Sequence, residues 1–132
     1  MRRFVVLLAI ATLAACGGDS STSPGVVTGS YSLRTINGSP LPYTLIQIGA
    51  DKIEITADVI ILNEGGTFTE TTSERTTENG VVTTSTIDDT GTYTLTGTAI
   101  TLTSPETGSI SGSVSGGTMT LALEGLAAVY SK

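Results

Sequence analysis

From Val27 onward, apolar residues recur mainly at every second position, and no stretch reads as a helix. The strongest strand signal is Lys52 to Leu62, KIEITADVIIL. Ile53, Ile55, Ala57, Val59 and Ile61 fall on one face, with Lys52, Glu54, Thr56 and Asp58 opposite. Ile60 and Leu62 add apolar residues to the second face, so the segment reads as two strands or as one with a bulge near Ala57 and Asp58. Before it, Val27 to Ile36 predicts a first strand with Tyr31, Leu33 and Thr35 on one side, and Pro42 to Ile48 a short second strand in which Tyr43, Leu45 and Gln47 alternate. The intervening NGSPLP holds Asn37 and Gly38, suited to positive φ, and two prolines that interrupt regular pairing.

Thr67 to Glu78 and Val81 to Asp88 form the clearest hairpin, joined at Asn79-Gly80, the pair best suited to a tight type I′ turn. A two-residue loop sets Glu78 against Val81, Thr72 against Ile87 and Phe68 against Gly91, with Phe68, Val81 and Ile87 on one face. That register also sets Glu70 against Asp89, and like charges directly opposite are unfavourable. A bulge, an early end to pairing near Asp88, or protrusion of the hairpin beyond the core would relieve the conflict. Further on, GTYTLTGTAITLT predicts two short strands turning near Gly97 and Thr98. Ile110 to Val114 and Thr118 to Leu123 form another pair around Gly116-Gly117, and Leu126 to Tyr130 a final strand.

Eight to ten antiparallel strands with short turns must hide an apolar face and their edges. A closed barrel does both when its first and last strands pair. No long crossover demands a Greek key, so the expected fold is all-β, an antiparallel up-and-down barrel; a β-sandwich is the alternative. The region from Val26 to Lys132 has 107 residues, the size of one domain.

Ahead of this region the pattern changes. Arg2 and Arg3 precede an apolar run from Phe4 to Ala15 of about 12 residues, where a membrane-spanning helix needs roughly 20. A charged start, a short apolar run and small residues before Cys16 read as an export signal over residues 1–15. Leu13, Ala14, Ala15 and Cys16 together resemble the lipobox of bacterial lipoprotein signal peptides. That resemblance implies cleavage before Cys16, lipidation of its thiol and of the new amino terminus, and membrane attachment through the lipid, for which more than one acyl chain is needed. Residues 16–25 then carry the lipidated cysteine and a flexible tether, GGDSSTSPG. Gly17 in place of an aspartate after the cysteine implies, by the same resemblance, the outer membrane, with the domain facing the periplasm or the cell surface.

Without residues 1–15 the chain retains Arg34, Lys52, Arg75 and Lys132 against 12 acidic residues, a net charge of about −8. That balance repels nucleic acid. Cys16 is the sole cysteine, so the domain is expected to hold without disulfides. The absence of histidine excludes a Ser-His-Asp triad, and no free thiol or Cys/His set suggests cysteine catalysis or zinc. No motif implies a metal or another cofactor, and Asp88-Asp89 lacks the spaced oxygen ligands of a calcium loop. Carboxylates among Glu70, Glu74, Asp88 and Asp89 read as a solvated strand face. The 25 threonines suit the wet face of strands.

Two stretches, GSYSLRTINGSPLP from Gly29 and GTYTLTGTAITLT from Gly91, resemble small bacterial lipocalin-like lipoprotein domains. Gly29, Ser30 and Tyr31 stand where lipocalins carry Gly-x-Trp, with Tyr in place of Trp. The resemblance implies a barrel. Tyr31, Tyr43, Phe68, Tyr93 and Tyr130 are candidates either for core filling or for lining a small cavity. An outer-membrane spanning barrel is disfavoured, because the exterior would be dominated by threonine and lacks aromatic girdles. The expectation is a non-catalytic, lipid-anchored envelope protein with a structural or interaction role and an envelope protein partner. The alternative is a carrier or sensor of a small apolar ligand in the barrel.

Overall fold

A computed structural model describes residues 27–132; the expected signal, Cys16 and the tether lie outside the described residues. Ten strands follow in order: β1 (Gly29–Ile36), β2 (Ser39–Pro40), β3 (Tyr43–Ile48), β4 (Asp51–Leu62), β5 (Thr67–Glu78), β6 (Val81–Thr96), β7 (Ala99–Ser104), β8 (Gly108–Ser115), β9 (Thr118–Leu123) and β10 (Leu126–Ser131). β4 to β10 run as successive antiparallel neighbours. β1 pairs with β10 on one side and with β4 on the other, closing an eight-stranded barrel of lipocalin-like form. β2 and β3 are additional short strands outside the closed ring.

The closing strand uses only part of β4. Gly29 to Ser32 pair with Leu62 to Val59, whereas β3 pairs with the earlier segment of β4 from Asp51 to Ile55. β7 likewise meets β6 only from Thr92 to Thr96, while β5 and β6 stay paired out to Glu78 and Val81. The outer parts of β3, β4, β5 and β6 therefore extend past the ring as a four-stranded flap. A hydrogen bond of 2.8 Å from the Asn79 amide to Asp51 Oδ1 ties the two turns at its tip.

The hairpin between β5 and β6 has the expected register throughout: Glu78 faces Val81, Thr72 faces Ile87 and Phe68 faces Gly91. Asn79 and Gly80 have φ of 50° and 79°, the conformation that an Asn-Gly turn supplies at least cost. β4 is a single strand with its irregularity between Ile55 and Ala57, which leaves Thr56 as the extra residue. One inserted residue exchanges the two faces of everything beyond it. The simple alternation therefore fails past Thr56: Asp58, Ile60 and Leu62 point into the barrel and are buried, while Ile61 is 41% exposed.

The interior is filled by one cluster to which all the strands of the closed ring contribute, among them Leu33, Ile36, Leu62, Ile100, Met119 and Leu121. Burial of each such side chain contributes about 1.5–3 kcal/mol. Val27 seals one end, where its carbonyl accepts a 2.7 Å hydrogen bond from the Tyr31 hydroxyl. At the other end the Asn37 amide donates to Ala127 O and the Ala127 amide donates to Asn37 Oδ1, each at 2.8 Å, bracketing the ends of β1 and β10. Outward positions of the wall are largely hydroxyl-bearing, as in the row Thr67, Thr92, Thr103 and Ser109 across β5 to β8.

Two glycines permit close backbone approach. A Cβ on Gly91 would collide with the Thr103 carbonyl and the Phe68 ring, and one on Gly112 with the Thr120 carbonyl. Because neither obstacle is the flexible end of a long side chain, Gly112→Ala is expected to destabilise the domain by roughly 3 kcal/mol, in the range of strained core changes. The measurement is the urea midpoint, with Gly38→Ser at an open turn as the comparison; equal midpoints for Gly112→Ala and the native chain would contradict this packing.

Candidate functional site

The expected pocket residues gather in and against the core. Tyr31, Phe68, Tyr93 and Tyr130 are buried members of the central cluster, and Tyr43 is partly buried against it. The hydroxyls of the three buried tyrosines are engaged: besides Tyr31, Tyr93 donates to Asn63 O at 2.9 Å and Tyr130 to Asp58 Oδ2 at 2.7 Å. Tyr31 borders a cleft of about 190 Å³ at the sealed end, and Phe68 a groove outside β5 to β7.

An opening between the barrel and its flap lies at the other end. It encloses about 480 Å³ and is lined by Ile36, Leu45, Ile55, Ile110, Leu123 and Leu126, with Thr107 and Glu124 among its polar neighbours. Its parts come from distinct elements. Ile55 sits just before the bulge of β4, and Leu45 is the extra residue where β3 shifts register. Leu123 and Leu126 flank the turn between β9 and β10, and Ile110 projects from β8. Beyond this mouth the flap continues the apolar character, with Ile46 at 55% and Ile48 at 77% exposure.

A set of carboxyls faces inward from β4, β5 and β6. Past the bulge, the inward face of β4 carries Asp58 after Ile55, and that of β5 carries Glu70, directly opposite Asp89 of β6. Asp58 is 6% exposed. Tyr130 reaches across β1 to its Oδ2, while Oδ1 is buried and accepts nothing from an ordinary donor. The Asp58 and Glu70 carboxyls lie diagonally across β4 and β5 on the inward face, and their mutual repulsion together with burial favours a proton on one of them.

Glu70 is the holder. Burial, followed by the charge of Asp58, pushes its pKa up to about 8. Burial also raises Asp58, while the hydrogen bond from Tyr130 favours its anion. Tyr130 itself is pushed well above the ordinary tyrosine value, first by burial and then by Asp58, so it stays a donor. Asp89 is satisfied separately: Ser104 donates to Oδ1 at 2.7 Å and Thr107 to Oδ2 at 3.1 Å.

This differs from the reading of Glu70 and Asp89 as a solvated strand face. Pairing proceeds through them without a bulge, and a proton on Glu70 with hydroxyl donors on Asp89 relieves the opposed charges. Simple alternation sets Asp58 with Lys52, Glu54 and Thr56 opposite the apolar face; only the matching parity of Ile60 and Leu62 points the other way. Asp88 points to the opposite side from Asp89 and accepts from Thr71 at 2.8 Å, so the adjacent pair does not converge on one ion. Among the described residues no group of three His, Cys, Asp or Glu side chains is placed to hold a metal.

Outside the barrel, Glu54 is bridged by Lys52 and Arg75, each at 2.9 Å. The hydrogen bond from Lys52, with that from Arg75 behind it, outweighs burial and holds its carboxyl below the usual range. Comparisons with protein-family models, with curated proteins and with solved structures each found no match. No helix among the described residues is long and apolar enough to cross a membrane.

Between the ordinary value of 4.5 and about 8, native Glu70 keeps a proton that the unfolded chain has lost. Its contribution to stability is therefore greatest in acid and falls as pH rises through 8, with Asp58 acting in the same direction. Glu54 acts oppositely, losing stability as pH falls below the ordinary carboxylate range. Raising pH from 6 to 9 should lower Tm by roughly 5 °C, the effect of about 1 kcal/mol in a domain of this size. Glu70→Gln should flatten that decline; thermal melts at several pH values compare the two chains, and an unaltered slope would remove Glu70 as its cause.

Proposed function

We propose that the chain is a lipid-anchored, non-catalytic binding protein of the bacterial envelope that takes a small apolar ligand at the open mouth of its barrel. The observation that carries this reading is the apolar opening of about 480 Å³ between barrel and flap. Ordinary ligand sites begin at roughly 300 Å³ and combine apolar walls with a few polar groups. The barrel interior is packed by Tyr31, Tyr93 and Tyr130, which favours the mouth over the barrel axis as the ligand's place. Membrane attachment rests on Cys16 and the lipobox-like LAAC, and the outer membrane on Gly17.

An interaction role has its own support. Val81, Val82 and Ile87 of β6 are 66%, 58% and 51% exposed, on a strand whose pairing with β7 begins only at Thr92. Such an edge offers a place for an envelope protein to dock.

Two measurements test the main reading. A neutral apolar fluorophore, N-phenyl-1-naphthylamine, should brighten on binding the native protein. Leu45→Gln and Ile55→Gln should each weaken that binding about tenfold, the equivalent of 1.4 kcal/mol. No enhancement with folded protein would defeat the ligand reading. For location, Cys16→Ser should abolish lipid labelling and release the protein from membranes; retention without labelling would defeat the lipoprotein reading.

A further inference from the structure

We propose that the open edge of β6 pairs with the β6 edge of a second copy of this chain, antiparallel about a two-fold axis at Thr84. The proposal rests on the interaction role inferred above and names the occupant of that edge; it is independent of the apolar mouth.

Main-chain geometry specifies the kind of partner. β5 and β6 stay in unbroken register from Thr67↔Thr92 to Glu78↔Val81. In a two-residue hairpin the residues flanking the turn exchange their main-chain bonds, and the pattern alternates from there. Val81, Thr83, Ser85 and Ile87 therefore turn their N–H and C=O groups toward β5, while Val82, Thr84, Thr86 and Asp88 turn theirs away. Among the described residues no strand pairs with that side of β6 before Thr92, and every residue from Val81 to Asp88 is exposed. Such a row of donors and acceptors is a template for one more strand.

The edge also lacks the devices that keep strands apart, which are charges, prolines and bulges. β3, the other edge of the flap, has two of them: Pro40 and Pro42 stand ahead of it, and Leu45 is an extra residue within it. Val81 to Ile87, VVTTSTI, carries no charge and no proline, and its pairing with β5 has no bulge.

This stretch is self-complementary, as a two-fold interface requires. Outward from Thr84, Thr83 mirrors Ser85, Val82 mirrors Thr86 and Val81 mirrors Ile87. Pairing about Thr84 joins hydroxyl to hydroxyl and one β-branched side chain to another. At both ends it sets Val81, 66% exposed, against Ile87, 51% exposed. Thr84 is one of the outward-bonding residues, so it exchanges main-chain bonds with its own copy, and Val82 does so with Thr86 of the second copy. Asp88 and Asp89 then fall opposite Gly80 and Asn79, whereas an axis at Asp88 would set like charges face to face. The net charge of about −8 on each copy is screened beyond about 8 Å at physiological ionic strength. Because the contact is short, association in solution should be weak and should gain from confinement on a membrane.

The test is disulfide trapping in the full chain, with the native chain as the control for any thiol at Cys16. Thr84→Cys should yield a disulfide-linked dimer on mild oxidation, because hydrogen-bonded partners lie about 5.5 Å apart at Cα, within disulfide reach. Val82→Cys should not, because in this register its own copy lies roughly 14 Å away. Hydrogen exchange supplies a readout without substitution. As the native chain is concentrated, the amides of Val82, Thr84 and Thr86 should slow about tenfold. Equal trapping of both cysteine variants, or exchange of these amides that does not change with concentration, would overturn the self-pairing. The peptide VVTTSTI offers the same edge without a second barrel. Protection by the peptide alone would overturn the second copy as occupant and leave the docking edge standing; protection by neither would overturn self-pairing together with strand addition at this edge.

Discussion

A single extra residue, Thr56, governs how β4 serves two structures at once. Before it, β4 belongs to the flap and pairs with β3; beyond it, the strand forms the barrel wall and pairs with β1. The change of face at the bulge turns Ile60 and Leu62 into the core and brings Asp58 with them. A hydrogen bond of 3.1 Å from Thr56 Oγ1 to Ser73 O ties the irregular point to β5. Closure, core composition and the buried carboxyl therefore share one local cause. Substituting the aspartate alone addresses only the last of these.

The charges are sorted by the same geometry. Glu54, one residue before Ile55, points outward and meets two cations, whereas Asp58 points inward and meets a phenol and a carboxylic acid. Two acids four residues apart thus have opposite environments and different titration. Ion pairing lowers one, while burial raises the other. Asp89 takes a third course, with two hydroxyl donors from the end of β7 and the turn after it. The inward acids thus differ in surroundings: Asp58 is buried against a phenol, whereas Asp89 meets two hydroxyls.

Much of the architecture was legible locally. Asn79-Gly80 fixes a two-residue turn, and that turn determines every pairing from Thr67↔Thr92 to Glu78↔Val81. The closing contacts were less accessible, because no local signal identifies Val59 to Leu62 as the neighbours of Gly29 to Ser32. NGSPLP reads as an interruption of regular pairing, yet Ser39 and Pro40 pair with Ile36 and Thr35 as β2. At the site, the tyrosines were recognisable as large residues of the barrel, but alternation could not separate core from mouth. Ile36 belongs to both, and Leu123 and Leu126 acquire their positions from a turn. The acid pair was hidden by the bulge, which reverses Asp58 while its sequence neighbours still suggest the wet side.

The sealed end also gives the domain a polarity relative to any anchor. Val27 is packed there beneath Tyr31, so the chain enters the fold at the end opposite the apolar mouth. With Cys16 as the proposed attachment point, the ten residues 16–25 span at most roughly 35 Å. An anchor at Cys16 would therefore leave the opening on the far side of the barrel from the point of attachment.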